Sequence, residues 1–164
     1  MKLNIGSGEK KISGYTSVDK REEANPDMLV NIGVDKFPLA DNVVDEILSH
    51  NSFEHFPNFI EVVNELGRIS KNGCTWKVTV PYATTYTFNV INPYHINPWF
   101  TEDTFRFWDD VYKREQPKDF KLKILKTDFT YNTDLWGKDQ NWDRLRKTNI
   151  NVVKEMYQEI EVIK

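Results

Sequence analysis

The sequence predicts a doubly wound α/β domain whose sheet is mostly parallel. Its first 81 residues contain short apolar runs, most of which end at glycine, aspartate or proline, and one helix with a single apolar stripe. Strands that are separated by loops and helices tend to pair in parallel, because tight hairpin turns do not join them. Ligands of such sheets bind beyond the carboxyl ends of the strands, so we expect functional residues there.

Five strands and one helix are expected in the first half of the chain. The helix is predicted over Asn58–Ser70, because apolar residues recur there at spacings of three and four and Asn72-Gly73 follows as a stop signal. The predicted strands are Lys2–Ile5, Tyr15–Val18, Met28–Ile32, Val43–Ser49 and Thr75–Val80.

The second half is an aromatic elaboration of this core. Residues 82–112 hold ten of the 22 aromatic residues, which predicts an apolar wall in the core, at a homodimer interface or around a substrate. We expect a helix from Thr101, as its cap, to Trp108, and a bulged strand over Phe120–Tyr131. Trp136–Arg146 is predicted to be irregular, Val152–Gln158 a short helix and Ile160–Ile163 a final strand.

Composition excludes several classes of protein. The 164 residues suit one domain, here divided into residues 1–81 and 82–164. A single cysteine, Cys74, cannot form a disulfide framework, and a net charge of -3 argues against a nucleic-acid partner. Without an apolar run long enough to span a bilayer or a signal-peptide core, we expect no membrane association and a cytoplasmic location.

A glycine turn and an aspartate follow the first two predicted strands. Gly6-Ser7-Gly8 ends the first strand, where a missing Cβ lets the backbone turn sharply and approach a ligand. Asp19 ends the second strand, where a carboxylate can accept both hydroxyls of a ribose. A dinucleotide is disfavoured, because Lys11 occupies the third glycine position and only ten residues separate Gly8 from Asp19. A plain turn beside a surface aspartate is the alternative.

Seven short motifs occur in a set order between Leu3 and Pro81. They are Leu3-Asn4-Ile5-Gly6-Ser7-Gly8, Gly14-Tyr15 through Val18-Asp19, Phe37-Pro38-Leu39, Asp41 through Ile47, Glu54-His55, Arg68 through Gly73, and Val80-Pro81. This ordered set, which covers about half the chain, resembles the class I S-adenosylmethionine (SAM)-dependent methyltransferases, in particular their type 11 group. The resemblance implies a Rossmann-like fold and SAM as cofactor.

The resemblance also implies where the cofactor would bind. Gly6, Ser7 and Gly8, after Asn4, would hold the methionine end, and Asp19 the ribose. Asn31 and Ile32 would flank the adenine, while His50 and Asn51 would line the sulfonium side. Two positions depart from the family pattern: Asn31 replaces an aspartate, and Lys20, which can cover a base only with its stem, replaces an apolar residue.

His55 and His95 are the candidate catalytic residues on the acceptor side. Pro93 through Phe105 resembles the family segment that precedes a helix over the active site, and His95 lies within it. Imidazole titrates near neutrality and can take a proton from an acceptor, although a structural hydrogen bond is the commoner role. The separations of the three histidines predict no metal site.

The sequence therefore predicts a SAM-dependent methyltransferase that acts on a small molecule. A protein of the same fold that binds cofactor or partner without catalysis is the first alternative, because Lys20 and Asn31 depart from the pattern. A dinucleotide-dependent oxidoreductase is the second. Asn92-Pro93-Tyr94 is similar to a nucleobase methyltransferase motif but follows the fifth predicted strand instead of the fourth, and the acidic charge balance also argues against nucleic acid.

Overall fold

One seven-stranded sheet organises the computed structural model, which describes residues 1–85, 92–109 and 119–164. Within these ranges the strand order across the sheet is β3-β2-β1-β4-β5-β7-β6. The strands are β1 (Lys2–Ile5), β2 (Thr16–Asp19), β3 (Met28–Leu29), β4 (Val44–His50), β5 (Ser70–Pro81), β6 (Lys121–Tyr131) and β7 (Val153–Ile163). The predicted mostly parallel, Rossmann-like α/β sheet is confirmed.

The order of the strands creates a switch point at the centre of the sheet. Strands β1 to β5 are parallel, and β7 lies antiparallel between β5 and β6. The last residue of β1, Ile5, pairs with Val18 on one side and with Ser49 on the other. The chain winds to one side of β1 through β2 and β3 and to the other side through β4 and β5, and ligands of such sheets bind at this point, beyond the carboxyl ends of the strands.

Three α-helices lie outside the sheet in the described residues: α1 (Phe59–Ile69), α2 (Thr133–Trp136) and α3 (Trp142–Thr148). The apolar face of α1 joins one core with the sheet, in which Leu66, Ile47 and Trp76 are all fully buried. None of the described helices has both the length and the apolar character needed to cross a bilayer.

The predicted elements of the first half are confirmed with shifted boundaries. The third strand ends at Leu29 instead of Ile32, because the chain turns away into a bridge between Ile32 and Asp35. Strand β5 begins at Ser70 instead of Thr75, because a bulge lets Ser70 pair with Val44 before the regular ladder begins.

The second half departs further from the prediction. The predicted bulged strand is confirmed as β6, with its irregularity between Ile124 and Lys126. The predicted helix after Thr101 is a 3₁₀ turn, Thr104–Trp108, preceded by Asp103, and the predicted irregular segment 136–146 contains part of α2 and most of α3.

The predicted helix Val152–Gln158 is wrong, because these residues belong to β7 apart from Val152. The alternation was hidden by Gln158, a polar residue at a fully buried position. Its side-chain Nε2 donates hydrogen bonds to the Glu102 carbonyl at 2.9 Å and to Thr127 Oγ1 at 3.1 Å, which compensates the burial of that nitrogen.

Candidate functional site

The glycine turn after β1 brings two loops together. Gly6 and Gly8 have φ angles of +61° and +53°, in the region that favours glycine. A Cβ on Gly6 would lie 2.5 Å from Ser52 Cβ, so the missing side chain lets the loop after β4 approach the turn. Ser52 Oγ lies 3.1 Å from the Gly6 carbonyl oxygen and 3.0 Å from that of His50, either of which can accept its hydrogen.

Asp19 connects the same turn to the end of β2. Its Oδ2 accepts a hydrogen bond from the Gly8 amide at 2.7 Å, and its Oδ1 accepts from the Arg21 amide at 3.0 Å and Arg21 Nε at 3.3 Å. Burial alone would raise the pKa of Asp19, but the hydrogen bonds from Arg21 and Gly8 outweigh it and hold that pKa below its usual range. Asp19 is therefore a carboxylate at neutral pH although it is only 7% exposed.

A cavity of about 870 Å³ lies beyond these strand ends. This volume is within the range of sites that hold small molecules and cofactors. Its walls come from the loops after β1, β2, β3 and β4 and from the segment 92–96. The lining residues are Gly6, Asp19, Lys20, Arg21, Val30, Asn31, Ile32, Asn51, Ser52, His55, Phe56, Pro57, Asn92, Pro93, Tyr94 and Ile96.

Six of the ten residues assigned to the cofactor line this cavity: Gly6, Asp19, Lys20, Asn31, Ile32 and Asn51. The other four, Asn4, Ser7, Gly8 and His50, are not among its lining residues. The side-chain amide of Asn4 donates to the Lys10 carbonyl at 3.2 Å, and the backbone amide of Gly8 donates to the Asp19 carboxylate. His50 ends β4 with an exposed side chain.

The wall formed by Asn31 and Ile32 is fixed by backbone contacts. The Val30 amide donates to the Asp19 carbonyl at 3.0 Å, and the Asn31 amide donates to Asp35 Oδ2 at 3.0 Å. Gly33, at φ +87°, lets the Pro57 carbonyl approach so closely that a Cβ would overlap it. The loops after β3 and β4 are thus held against each other on one side of the cavity.

Asn51 lines the cavity and carries a buried side-chain oxygen without a described partner. Its amide nitrogen donates to Glu155 Oε1 at 2.7 Å, but its buried Oδ1 has no hydrogen-bond partner among the described residues. A buried acceptor without a partner is costly, so a ligand that donates a hydrogen bond or carries positive charge would be favoured beside it.

A second group of side chains surrounds His55, which also lines the cavity. His55 ends the 3₁₀ turn Phe53–His55, and its ring lies edge-to-face with that of His95 at a centroid distance of 4.7 Å. Both histidines are partly buried, and burial together with His55 lowers the pKa of His95. Burial, with a smaller contribution from Glu155, raises the pKa of neighbouring Glu54 to about 7.

Two site residues were missed by sequence reasoning. Arg21 lies two residues after the predicted acid, but nothing in the local pattern distinguished it from its neighbour Lys20, and both residues are exposed. The sequence places Glu54 in a motif but does not indicate that its carboxylate lies near both candidate catalytic histidines. The proximity of His55 and His95 themselves, 40 residues apart, depends on how segment 92–97 folds back over the turn.

Most described aromatics of the predicted wall are packed in the core. Phe100 and Phe105 are fully buried, and each forms an edge or tilted contact with Phe53 and Phe59, which lie outside that segment. Tyr94 and Trp99 are exposed, and Tyr94 lines the cavity. Residues 86–91 and 110–112 of that wall lie outside the described residues.

Solved structures of methyltransferases share this architecture. A SAM-dependent methyltransferase from Archaeoglobus fulgidus has a TM-score of 0.66 at 18% identity, covering 98% of this chain and 85% of that chain. A second match is a chain from the Haloferax volcanii complex of the Trm112 methyltransferase activator with a candidate methyltransferase. It has a TM-score of 0.65 at 12% identity, and the match covers 99% of this chain and 82% of that chain. The plantazolicin methyltransferase BpumL, solved with S-adenosylhomocysteine (SAH), has a TM-score of 0.57 at 16% identity. The match covers 99% of this chain and 76% of that chain.

No protein-family profile matches the sequence, and no curated protein does. The structural likenesses establish the class I SAM-dependent methyltransferase fold for this chain, as its ordered motifs predicted.

The two glycines of the turn should respond differently to a methyl group. Both glycines have a positive φ, which alanine can adopt only at a cost of about 1–2 kcal/mol, so Gly6→Ala and Gly8→Ala share this cost. Only at Gly6 would the new methyl group overlap other atoms, the Cβ and Oγ of Ser52. This overlap adds roughly 1–3 kcal/mol to the loss of stability. Denaturant unfolding should therefore show the larger loss of stability for Gly6→Ala.

Ser52→Gly in the Gly6→Ala background provides the control, because it removes the overlapping Cβ. We expect it to recover part of the lost free energy of unfolding. Equal losses at the two glycines, or no recovery, would show that the approach of Ser52 is not what requires Gly6.

Proposed function

We propose that this protein is a SAM-dependent methyltransferase that acts on a small molecule. The observation that carries the proposal is an ionised carboxylate, Asp19, at the end of β2 on the wall of a cavity of about 870 Å³. The cavity lies at the carboxyl ends of the strands in a fold that solved SAM-dependent methyltransferases share. A carboxylate in this position is suited to accept both ribose hydroxyls of the cofactor.

The residues of the cavity fit SAM along its length. Asn31 and Ile32 belong to the wall next to Asp19, where the adenine would bind, and the Asn31 side chain can accept from the adenine amino group. Asn51 Oδ1, buried and without a described partner, offers partial negative charge to the cationic end of the cofactor. Gly6 leaves the turn beside the cavity free of a side chain. When bound, SAM supplies a methyl group that is already activated on a sulfonium.

The protein's own task is then to align the acceptor and exclude water. Alignment alone can contribute about 7–11 kcal/mol to a displacement of this kind. We assign His55 and His95 to the acceptor side, because His55 lines the cavity and His95 contacts its ring. Imidazole lone pairs can bind an acceptor or take its proton. The net charge of -3 is unlike the basic balance of nucleic-acid-binding proteins, so we propose no nucleic-acid substrate.

The alternative is a protein of this fold that binds a partner and does not catalyse. The Haloferax volcanii neighbour was solved with a methyltransferase activator, which is the observation that favours a partner. Formation of a methylated product from SAM by the isolated chain would exclude the non-catalytic alternative.

Asp19→Asn should weaken SAM binding by about tenfold to a few hundredfold. A hydrogen bond to a charged group contributes about 1.5–3 kcal/mol, and the amide keeps the shape of the carboxylate while losing its charge. Calorimetric titration of the folded variant with SAM measures the effect. Asp139→Asn, at an exposed aspartate outside the cavity lining, is the matched control. If Asp19→Asn bound SAM with wild-type affinity, Asp19 would not contact the ribose.

His95→Ala should separate acceptor chemistry from cofactor binding. Because His95 is outside the residues that would contact SAM, we expect SAM affinity to change by less than about twofold. Methyl transfer should fall by roughly 10²-fold or more, the usual contribution of a group that acts on the acceptor's proton. The assay uses labelled SAM and an acceptor found by screening hydroxyl, amine and carboxylate compounds. Full activity, or lost SAM binding, would contradict the assignment.

A further inference from the structure

We propose that Glu54, His55 and His95 bind one divalent transition-metal ion, of the Zn²⁺ class, at the wall of the cavity. One oxygen of Glu54 and one ring nitrogen of each histidine lie within 4.8 Å of one another. Two imidazoles and one carboxylate form a ligand set that such ions use, with positions left open to solvent or substrate.

Glu54 is the residue that most requires a partner. Its side chain is 1% exposed, and neither carboxylate oxygen has a hydrogen-bond partner among the described residues. A buried carboxylate without compensation is strongly unfavourable. A cation bound between its oxygens and the adjacent imidazoles would supply that compensation.

His55 is oriented as a metal ligand would be. Its Nδ1 lies 2.9 Å from the Tyr94 carbonyl oxygen, which can only accept, so Nδ1 carries the hydrogen. The lone pair is therefore on Nε2, the nitrogen that lies 4.0 Å from Glu54 Oε1. Metal-binding histidines commonly donate their other ring N–H to a backbone carbonyl in this way.

Hydrogen bonds hold the backbone segments that carry the three residues against each other. The Asn97 amide donates to the Glu54 carbonyl at 3.0 Å, and Asn97 Nδ2 donates to the carbonyls of Phe53 and Phe56 at 3.1 and 2.6 Å. These bonds join the segment that carries His95 to the turn that carries Glu54 and His55. Tetrahedral bonds of ~2.0–2.1 Å require ligand atoms ~3.4 Å apart, so binding would draw the three ligand atoms closer than their present spacing, which is within 4.8 Å.

The position of the ion gives it access to the cavity. His55 lines the cavity directly, so an open coordination position there could hold an oxygen of the methyl acceptor. This last step rests on the proposed function, whereas metal binding itself does not.

The test is calorimetric titration of the untagged, chelator-treated full chain with Zn²⁺, and with Co²⁺ followed by its visible absorption. We expect one ion per chain. Glu54→Gln, His55→Asn and His95→Asn should each weaken binding by more than the ~10–100-fold that loss of an outer-shell partner causes. His50→Asn is the matched control, since the third histidine lies outside the cluster, and it should bind as the wild type does.

Thermal unfolding keeps the test independent of folding defects in a variant. Zn²⁺ should raise the Tm of the wild type and of His50→Asn, and should leave the Tm of Glu54→Gln unchanged, because only a native site couples binding to stability. Absence of Zn²⁺ binding, or equal binding by Glu54→Gln, would overturn the proposal.

A crossed experiment distinguishes this proposal from the proposed function. Asp19→Asn should lose SAM affinity and keep Zn²⁺ affinity, and His95→Asn should do the reverse. If SAM binds and Zn²⁺ does not, the metal site fails alone; if Zn²⁺ binds and SAM does not, the methyltransferase proposal fails alone.

Discussion

The hydrogen bond from the Gly8 amide to the Asp19 carboxylate is the interaction on which the cavity depends. It joins the turn after β1 to the end of β2, and the Arg21 amide occupies the other oxygen of the same carboxylate. The backbone donors keep this carboxylate charged although it is almost fully buried. The Asp19 carboxylate therefore already has a fixed orientation before a ligand binds, so binding does not carry the entropic cost of ordering this side chain.

The loop after β4 serves both sides of the cavity. Ser52 packs against Gly6 on the side assigned to the cofactor, and three residues later His55 faces the segment 92–97. The two walls are therefore parts of one connected backbone and are not independent loops. The His55 amide donates to the Ser52 carbonyl at 3.0 Å, so a change at Ser52 should alter the position of His55. This arrangement suits a site in which cofactor and acceptor must be aligned to within fractions of an ångström.

Sequence patterns were sufficient wherever a local rule determined the structure. The glycine turn, Asp19 and helix α1 follow from positive φ, strand ends and a period of 3.6 residues, and all were predicted to within a residue or two. Ile160–Ile163 was correctly predicted as a strand of β7, and Gln158 shows why Val152–Gln158 was predicted as a helix. The partners that allow this polar side chain to be buried, Glu102 and Thr127, come from distant parts of the chain. The cluster of Glu54 with His95 was missed for the same reason, since no spacing along the sequence encodes a contact made by a returning segment. Burial of Glu54, which gives the cluster its significance, is a property of the folded chain alone.

The central claim is that the cavity beside Asp19 binds the cofactor, and a crystal structure of the chain grown with SAH tests it most directly. We predict SAH within the cavity, both ribose hydroxyls within hydrogen-bonding distance of the Asp19 carboxylate and the adenine against Asn31 and Ile32. A crystal in which SAH at saturating concentration leaves this cavity without ligand density, or binds elsewhere on the chain, would contradict the account.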